Sequence, residues 1–270
     1  MRSPEVVNKM ECVWQAINEC CASLTAQEWK LPTDCPGWSV QDQLSHLTGS
    51  ESRILGRPAP DHTAQDLSHV KNESGERNEV VVDWRRDRSG TEVLEEFREV
   101  TAERLKLLRS MSEDDFAAKT QTPIGPGTVH LLVEIRIFDA WIHLQDMRRA
   151  LRRPGDMEGP VAEHAVGRCA MAMPFVVGRK AQAPDGATVV FEITGGAGRL
   201  LAIGVNEKRA NVLDVAPSYP TVRLTMDVET FTCLGCGRWE TKQTLEAGKV
   251  QIDGDQRLGE SIVEQMNFMI

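Results

Sequence analysis

The sequence predicts a helical bundle followed by an α+β domain. Three observations carry that prediction. The chain has 270 residues, more than the roughly 100 to 200 typical of one domain. Apolar residues recur at steps of three and four as far as Arg152, the period of helices with one buried face. After Pro160 the pattern shortens to alternating runs between turns, the mark of strands. With 41% apolar and 26% charged residues and no low-complexity tract, the chain has the means to bury two cores.

In chain order, Val7, Met10, Val13, Ile17, Cys21 and Leu24 define the apolar face of a first helix over 4–24. Pro32, Pro36 and Gly37 break it, and Ser39 followed by Asp42 offers a capping arrangement for a second helix over 40–56. That helix carries Val40, Leu44, Leu47 and Ile54 mostly on one side. Residues 57–75, polar and holding Pro58 and Pro60, are expected as a loop over the bundle mouth, with a short helix near 76–86. Val93, Leu94, Phe97, Val100, Leu105 and Leu108 predict a helix over 91–111. The turn signals of TQTPIGPGTV separate it from a long last helix, Val129 to about Arg152, which stops before Pro154 and Gly155. Four principal helices with a long second-to-third connection describe a bundle, assigned to residues 1–155.

The second domain, assigned to 160–270, opens with a helix over 161–179. The runs TVVFEIT, RLLAIGV and RANVLDV read as antiparallel strands. TVRLTMD is a further strand, DVETFTCLG is helical, and VQIDGD leads into a closing helix within LGESIVEQMNFMI. The sheet is expected to be small and mainly antiparallel. No internal repeat is present.

A net charge of -9 argues against a nucleic-acid surface, because phosphate binding needs a basic face. The local cluster Arg148, Arg149, Arg152 and Arg153 reads as the solvated, dipole-compensating end of a helix. No apolar run approaches the roughly 20 residues that span a bilayer, and MRSPEVVNKM has no apolar signal-peptide core. The expected location is the cytoplasm. The seven cysteines, an odd and scattered set, suit reduced thiols. Cys233 and Cys236 form the single CxxC, with no second pair to complete a four-thiolate site, and read as small apolar filler. Trp14 and Trp141 read as core, and Trp38 as packing at the bundle end.

One pattern carries chemistry. In DAWIH, Asp139 and His143 stand four apart in a predicted helix, so both project from one face, one turn apart. A divalent ion such as zinc accepts imidazole nitrogen and carboxylate oxygen, and three protein ligands with an open position is the catalytic pattern. The best third ligand is His46, an imidazole amid apolar neighbours on the second helix. Taken alone, His46 reads rather as a satisfied core histidine or an exposed one, and Asp139 with His143 as an ordinary helix-surface pair. Among the other histidines, His62 and His69 fall in the polar loop, where a lid role stays open, and His130 and His164 begin helices.

The stretches CPGWSVQDQLSHL (35–47) and GPGTVHLLVEIRIFDAWIHLQDMRRALRRPG (125–155) resemble the DinB-like superfamily, specifically its mycothiol-dependent maleylpyruvate isomerase branch of actinobacteria. The resemblance implies a metal on a His of the second helix and an acid-x-x-x-His pair of the last one, at His46, Asp139 and His143. A shorter Asp139 stands where the best-known isomerase pattern has Glu. YPTVRLTMDVETFTCLGCGRWETKQTLEAGKVQIDGD and the residues after it resemble the sterol-carrier-like domain that follows the bundle in many such proteins.

The resemblance also implies a chemistry: mycothiol bound as a metal thiolate and delivered to a small electrophilic substrate, in an S-transfer or an isomerisation. Arg136, Asp146 and Arg149 flank the ligands as candidates for cofactor binding or for orienting a ligand histidine or a substrate carboxylate, beside a plain ion-pairing role. Two other classes compete. A hydrolase would activate water in place of a thiol, and a small-molecule-binding module would carry a merely structural metal. The expected partners are thus small molecules, with oligomeric state open.

Overall fold

Helical periodicity in the first half is realised as four long helices whose apolar faces meet. Val6, Val7, Met10, Val13, Trp14 and Ile17 are buried along α1 (Ser3–Cys21). A short α2 (Ala26–Trp29) follows, begun by a Thr25/Glu28 capping box. The Ser39/Asp42 capping box then starts α3 (Val40–Ile54). Beyond the polar loop come α4 (Glu73–Asp83), α5 (Gly90–Ser110) and the one-turn α6 (Glu113–Ala117). A small hairpin, β1 (Lys119–Thr122) with β2 (Gly125–Thr128), leads into α7 (Val129–Leu151). Phe97, Ile17, Leu44, Leu47, Leu108, Ile137, Trp141, Leu144 and Met147 fill the space between α1, α3, α5 and α7. The computed structural model describes residues 3–269 and divides the chain into two units between Asp156 and Met157.

The differences from expectation have local causes. The first helix ends at Cys21, three residues early, in a turn closed by Leu24 N–H donating to the Cys21 carbonyl. The fourth begins at Glu73 instead of 76, because the Asn72 side chain accepts from Gly75 N–H and caps it there. α2, α6 and the two hairpin strands were not anticipated; each element has at most five residues, too few for any periodicity to register. The long last helix ends at Leu151, with Arg152 left-handed at φ 53° doing what a C-terminal glycine commonly does.

The second unit starts with α8 (Gly159–Phe175). Expected to run to 179, this helix instead passes into a π-helical turn, Val176–Lys180, just after Pro174, whose missing N–H disturbs the α-helical ladder. Next come β3 (Thr188–Thr194), β4 (Arg199–Asn206), β5 (Arg209–Val212), β6 (Val222–Asp227), α9 (Val228–Gly235), α10 (Thr241–Glu246), β7 (Gln251–Gly254) and α11 (Gln256–Glu264). The sheet order is β5-β4-β3-β6-β7. Its pairings are antiparallel except β3 with β6, which run parallel with Phe191 opposite Leu224. Central β3 buries Val189, Val190 and Phe191 in succession, so it lacks the alternation of a half-exposed strand. β5 is an edge strand shorter than the RANVLDV run, as edges commonly are. The closing helix stops at Glu264, and residue 270, at the end of the predicted helix, lies outside the described residues.

Candidate metal centre

α3 and α7 pack side by side in the bundle and bring three ligand-type side chains to one level. On α7, Asp139 and His143 project together, one turn apart. From α3, His46 Nε2 approaches Asp139 Oδ2 at 3.3 Å. His143 Nε2 lies 3.6 Å from the other oxygen, Oδ1. The three ligand atoms fall within 4.8 Å of one another. Ligands about 2.0 to 2.2 Å from a tetrahedral ion stand roughly 3.4 Å apart, so the donor set and its spacing fit a small divalent cation. His46 and His143 are buried, whereas the Asp139 side chain keeps 22% of its surface exposed, leaving an approach from solvent.

The surroundings fix the ligands. Gln43, on α3, sets its amide oxygen against His143 Nδ1. A carbonyl oxygen only accepts, so Nδ1 carries the hydrogen and the Nε2 lone pair faces Asp139. Asp146 Oδ2 lies 3.6 Å from the same Nδ1. Arg136 Nη1 donates to Asp139 Oδ2 at 2.6 Å, while its Nε donates to Glu51 Oε1 at 2.7 Å. Glu51 also accepts from Arg104 Nε of α5 at 3.3 Å. Arg149 bridges Asp146 and Asp34, at 2.6 Å from the latter. His46 differs: its buried Nδ1 has no hydrogen-bond partner.

These contacts set the charges. Burial pushes the His46 imidazole down to about 4, against the opposing pull of Asp139, so the ring is neutral at ordinary pH. Burial alone would raise the Asp139 carboxyl, but Arg136, then His143 and His46, hold it well below the usual carboxylate range. For His143 burial favours the neutral ring, and the carboxylates of Asp139 and Asp146 outweigh it and raise the pKa. The result is one ionised carboxylate between two imidazoles of different proton affinity.

Among the described residues, His46, Asp139 and His143 are the group of such side chains placed to hold a cation. Arg136, Asp146 and Arg149 all lie beside this group, each engaged in ion pairs with its carboxylates or their neighbours. Of the four arginines at the end of α7, Arg148 pairs with Asp156 and Arg153 with Glu28, at 2.5 Å for the latter. The loop histidines are tied to α4 instead, His62 to Asp83 at 2.7 Å and His69 to Glu79 at 3.0 Å. Cys233 and Cys236 are buried, with the Cys236 thiol against Cys169.

Sequence reasoning missed Gln43, Glu51 and Glu79, and placed Trp38 only as packing. The Trp38 ring stands 5.1 Å from that of His46 and 5.9 Å from that of His143. A run of polar residues on a helix that the bundle buries, Gln41 to Gln43 and Ser50 with Glu51, was the available signal, since buried polar groups need partners.

The sequence matches the mycothiol maleylpyruvate isomerase N-terminal domain over residues 10–148 and the C-terminal domain of the same family over 163–261. No curated protein matches. A crystal structure of the mycothiol-dependent maleylpyruvate isomerase overlays with a TM-score of 0.58 at 15% identity, covering 94% of this chain and 93% of that one. A histidine-to-alanine mutant of that enzyme gives 0.55 at 14% identity, with the same coverage of 94% and 93%. At these identities the likeness is one of fold.

Proposed function

The chain belongs to the mycothiol maleylpyruvate isomerase family, an enzyme family, and from that membership we propose that it is a metal-dependent isomerase or S-transferase. Its cosubstrate is a small thiol of the mycothiol class and its substrate a small electrophile. The single observation that carries the reading is the convergence of His46, Asp139 and His143 within 4.8 Å of one another. These three residues would hold the ion, with zinc the best fit to two imidazoles and a carboxylate. A divalent ion held there would acidify a thiol and make it nucleophilic near neutral pH.

The chain's own groups prepare that chemistry. Gln43 fixes the His143 tautomer so that Nε2 offers a lone pair. Arg136 keeps Asp139 ionised and aimed at the imidazoles. Asp146, itself held by Arg149, backs the His143 ring. We therefore assign Arg136, Asp146 and Arg149 to orienting the ligands rather than to contacting the thiol. Addition of a thiol to an electrophilic carbon, followed by its expulsion, returns the thiol unchanged and completes an isomerisation; retention of the new C–S bond completes a transfer.

The sterol-carrier-like resemblance of the second unit supports small-molecule partners, and the net charge of -9 fits those better than nucleic acid. No described helix is long and apolar enough to cross a membrane. Seven cysteines, none of them in a disulfide among the described residues, fit a reducing compartment, and we place the protein in the cytoplasm.

The test is turnover of a maleylpyruvate-type electrophile with and without mycothiol, on protein of measured metal content. The expected result is turnover that requires both thiol and metal. Equal rates without thiol would replace this reading by a hydrolase, and binding without turnover by a module with a structural ion.

A further inference from the structure

A metal-ligating histidine normally has its second ring nitrogen held by a hydrogen bond, which fixes tautomer and ring plane. His143 is held in that way by Gln43, with Asp146 3.6 Å from the same nitrogen. His46 is not: Nδ1 is buried without a partner, and the polar contact of the ring runs from Nε2 to Asp139, the neighbouring candidate ligand. Rotation about the bond joining an imidazole to its Cβ is broad and roughly two-fold. With Nε2 given to an ion, something other than a hydrogen bond at Nδ1 must therefore hold this ring.

What lies against it is the Trp38 indole, with centroid 5.1 Å away and planes inclined by 38°. The same indole is 5.9 Å from His143, and the two imidazoles are 4.6 Å apart, so three rings close on one another. The indole in turn is anchored more firmly than packing requires. Its Nε1 donates to Glu79 Oε2 at 2.8 Å, and the Glu79 side chain is 1% exposed. A buried carboxylate is costly unless several donors meet it. Here His69 Nε2 lies 3.0 Å from the same oxygen, and Arg86 Nη1 forms an ion pair with the other at 2.7 Å.

His69 reaches Glu79 by lying over the turn before Trp38. Gly37 sits there at φ +78°, and a Cβ on it would come within 2.7 Å of the His69 ring. The loop of residues 55–72, the turn and the indole are thereby fastened to α4 through one carboxylate.

We propose that Trp38, anchored by Glu79, is the positioning residue for His46, its indole fixing the imidazole plane where a hydrogen bond would ordinarily do so. The inference rests on the metal-site reading given above, and its test separates the two. Zinc affinity is measured by chelator competition for the wild type, Trp38→Phe and Trp38→Leu, together with melting of the metal-free proteins and the imidazole resonances of His46. Trp38→Leu removes the aromatic ring, and Trp38→Phe keeps a smaller one without the tether to Glu79.

The expected result is one sharp set of His46 signals in the metal-free wild type, doubled or broadened in Trp38→Leu. Zinc binding should fall about tenfold in the same variant, the loss usual for an outer-layer residue, with Trp38→Phe between the two. A folded Trp38→Leu with unchanged His46 signals and zinc affinity within twofold of wild type would overturn the proposal. Should that variant not fold, Trp38→Phe with both readouts unchanged would do the same. A wild type that takes up no zinc yet shows the His46 change in Trp38→Leu would overturn the metal reading alone.

Discussion

At the scale of single residues, the two imidazoles of the site hold protons very differently although both are buried. His46 gives up its proton down to about pH 4. His143, whose burial is outweighed by Asp139 and Asp146, keeps its proton to above the ordinary imidazole range. A metal ion at the proposed site would have to displace the proton on His143 but would find His46 already neutral. The logarithm of zinc affinity should thus rise by about one per pH unit from about pH 4 up to the raised His143 value, then level off. Chelator competition at several pH values measures it, and a slope of two across that window would mean that His46 is protonated as well. Replacing His143 with Ala should abolish zinc uptake with helical circular dichroism unchanged, because the helix does not depend on that side chain. Stoichiometric zinc in that variant by elemental analysis would refute the ligand assignment.

At the scale of elements, the site is held by ion pairs that cross between helices. Arg104 of α5, Glu51 of α3 and Arg136 of α7 form a buried line ending at Asp139. Removing one partner of such a line leaves the others uncompensated in a poorly solvated place. Arg136→Met should therefore cost roughly 3 kcal/mol or more in urea unfolding, and a loss below 1 kcal/mol would show that water reaches Glu51. The start of α3 matters for a different reason. The Ser39 and Asp42 side chains cap it reciprocally, so Ser39→Ala should lower stability by about 1 kcal/mol, seen as a lower urea midpoint at unchanged slope. Short elements escaped the sequence reading because one turn of helix or a four-residue strand offers no repeat to detect. The long helices were legible through their spaced apolar residues, and the start of α3 through its capping pair.

At the scale of the whole molecule, the chain is a helical unit followed by an α+β unit, with seven cysteines outside any disulfide, of which Cys12 is the exposed one. A thiol reagent should accordingly label Cys12 quickly in the native protein and all seven thiols after denaturation without reductant. Fewer than seven would reveal a disulfide and weaken the assignment to a reducing compartment. By itself, the sequence determined the succession of long helices and strands, the pairing of Asp139 with His143 on one helix face, and the motifs that mark the family. Those are properties of local spacing, which the periods of helix and strand translate directly into geometry. Tertiary structure alone decided that His46 meets that pair, that Gln43 rather than a charged group accepts from His143, that β3 and β6 run parallel, and that Trp38 closes over the imidazoles. Each of these joins residues far apart in the chain, and such contacts follow from how whole faces pack, which no local period encodes.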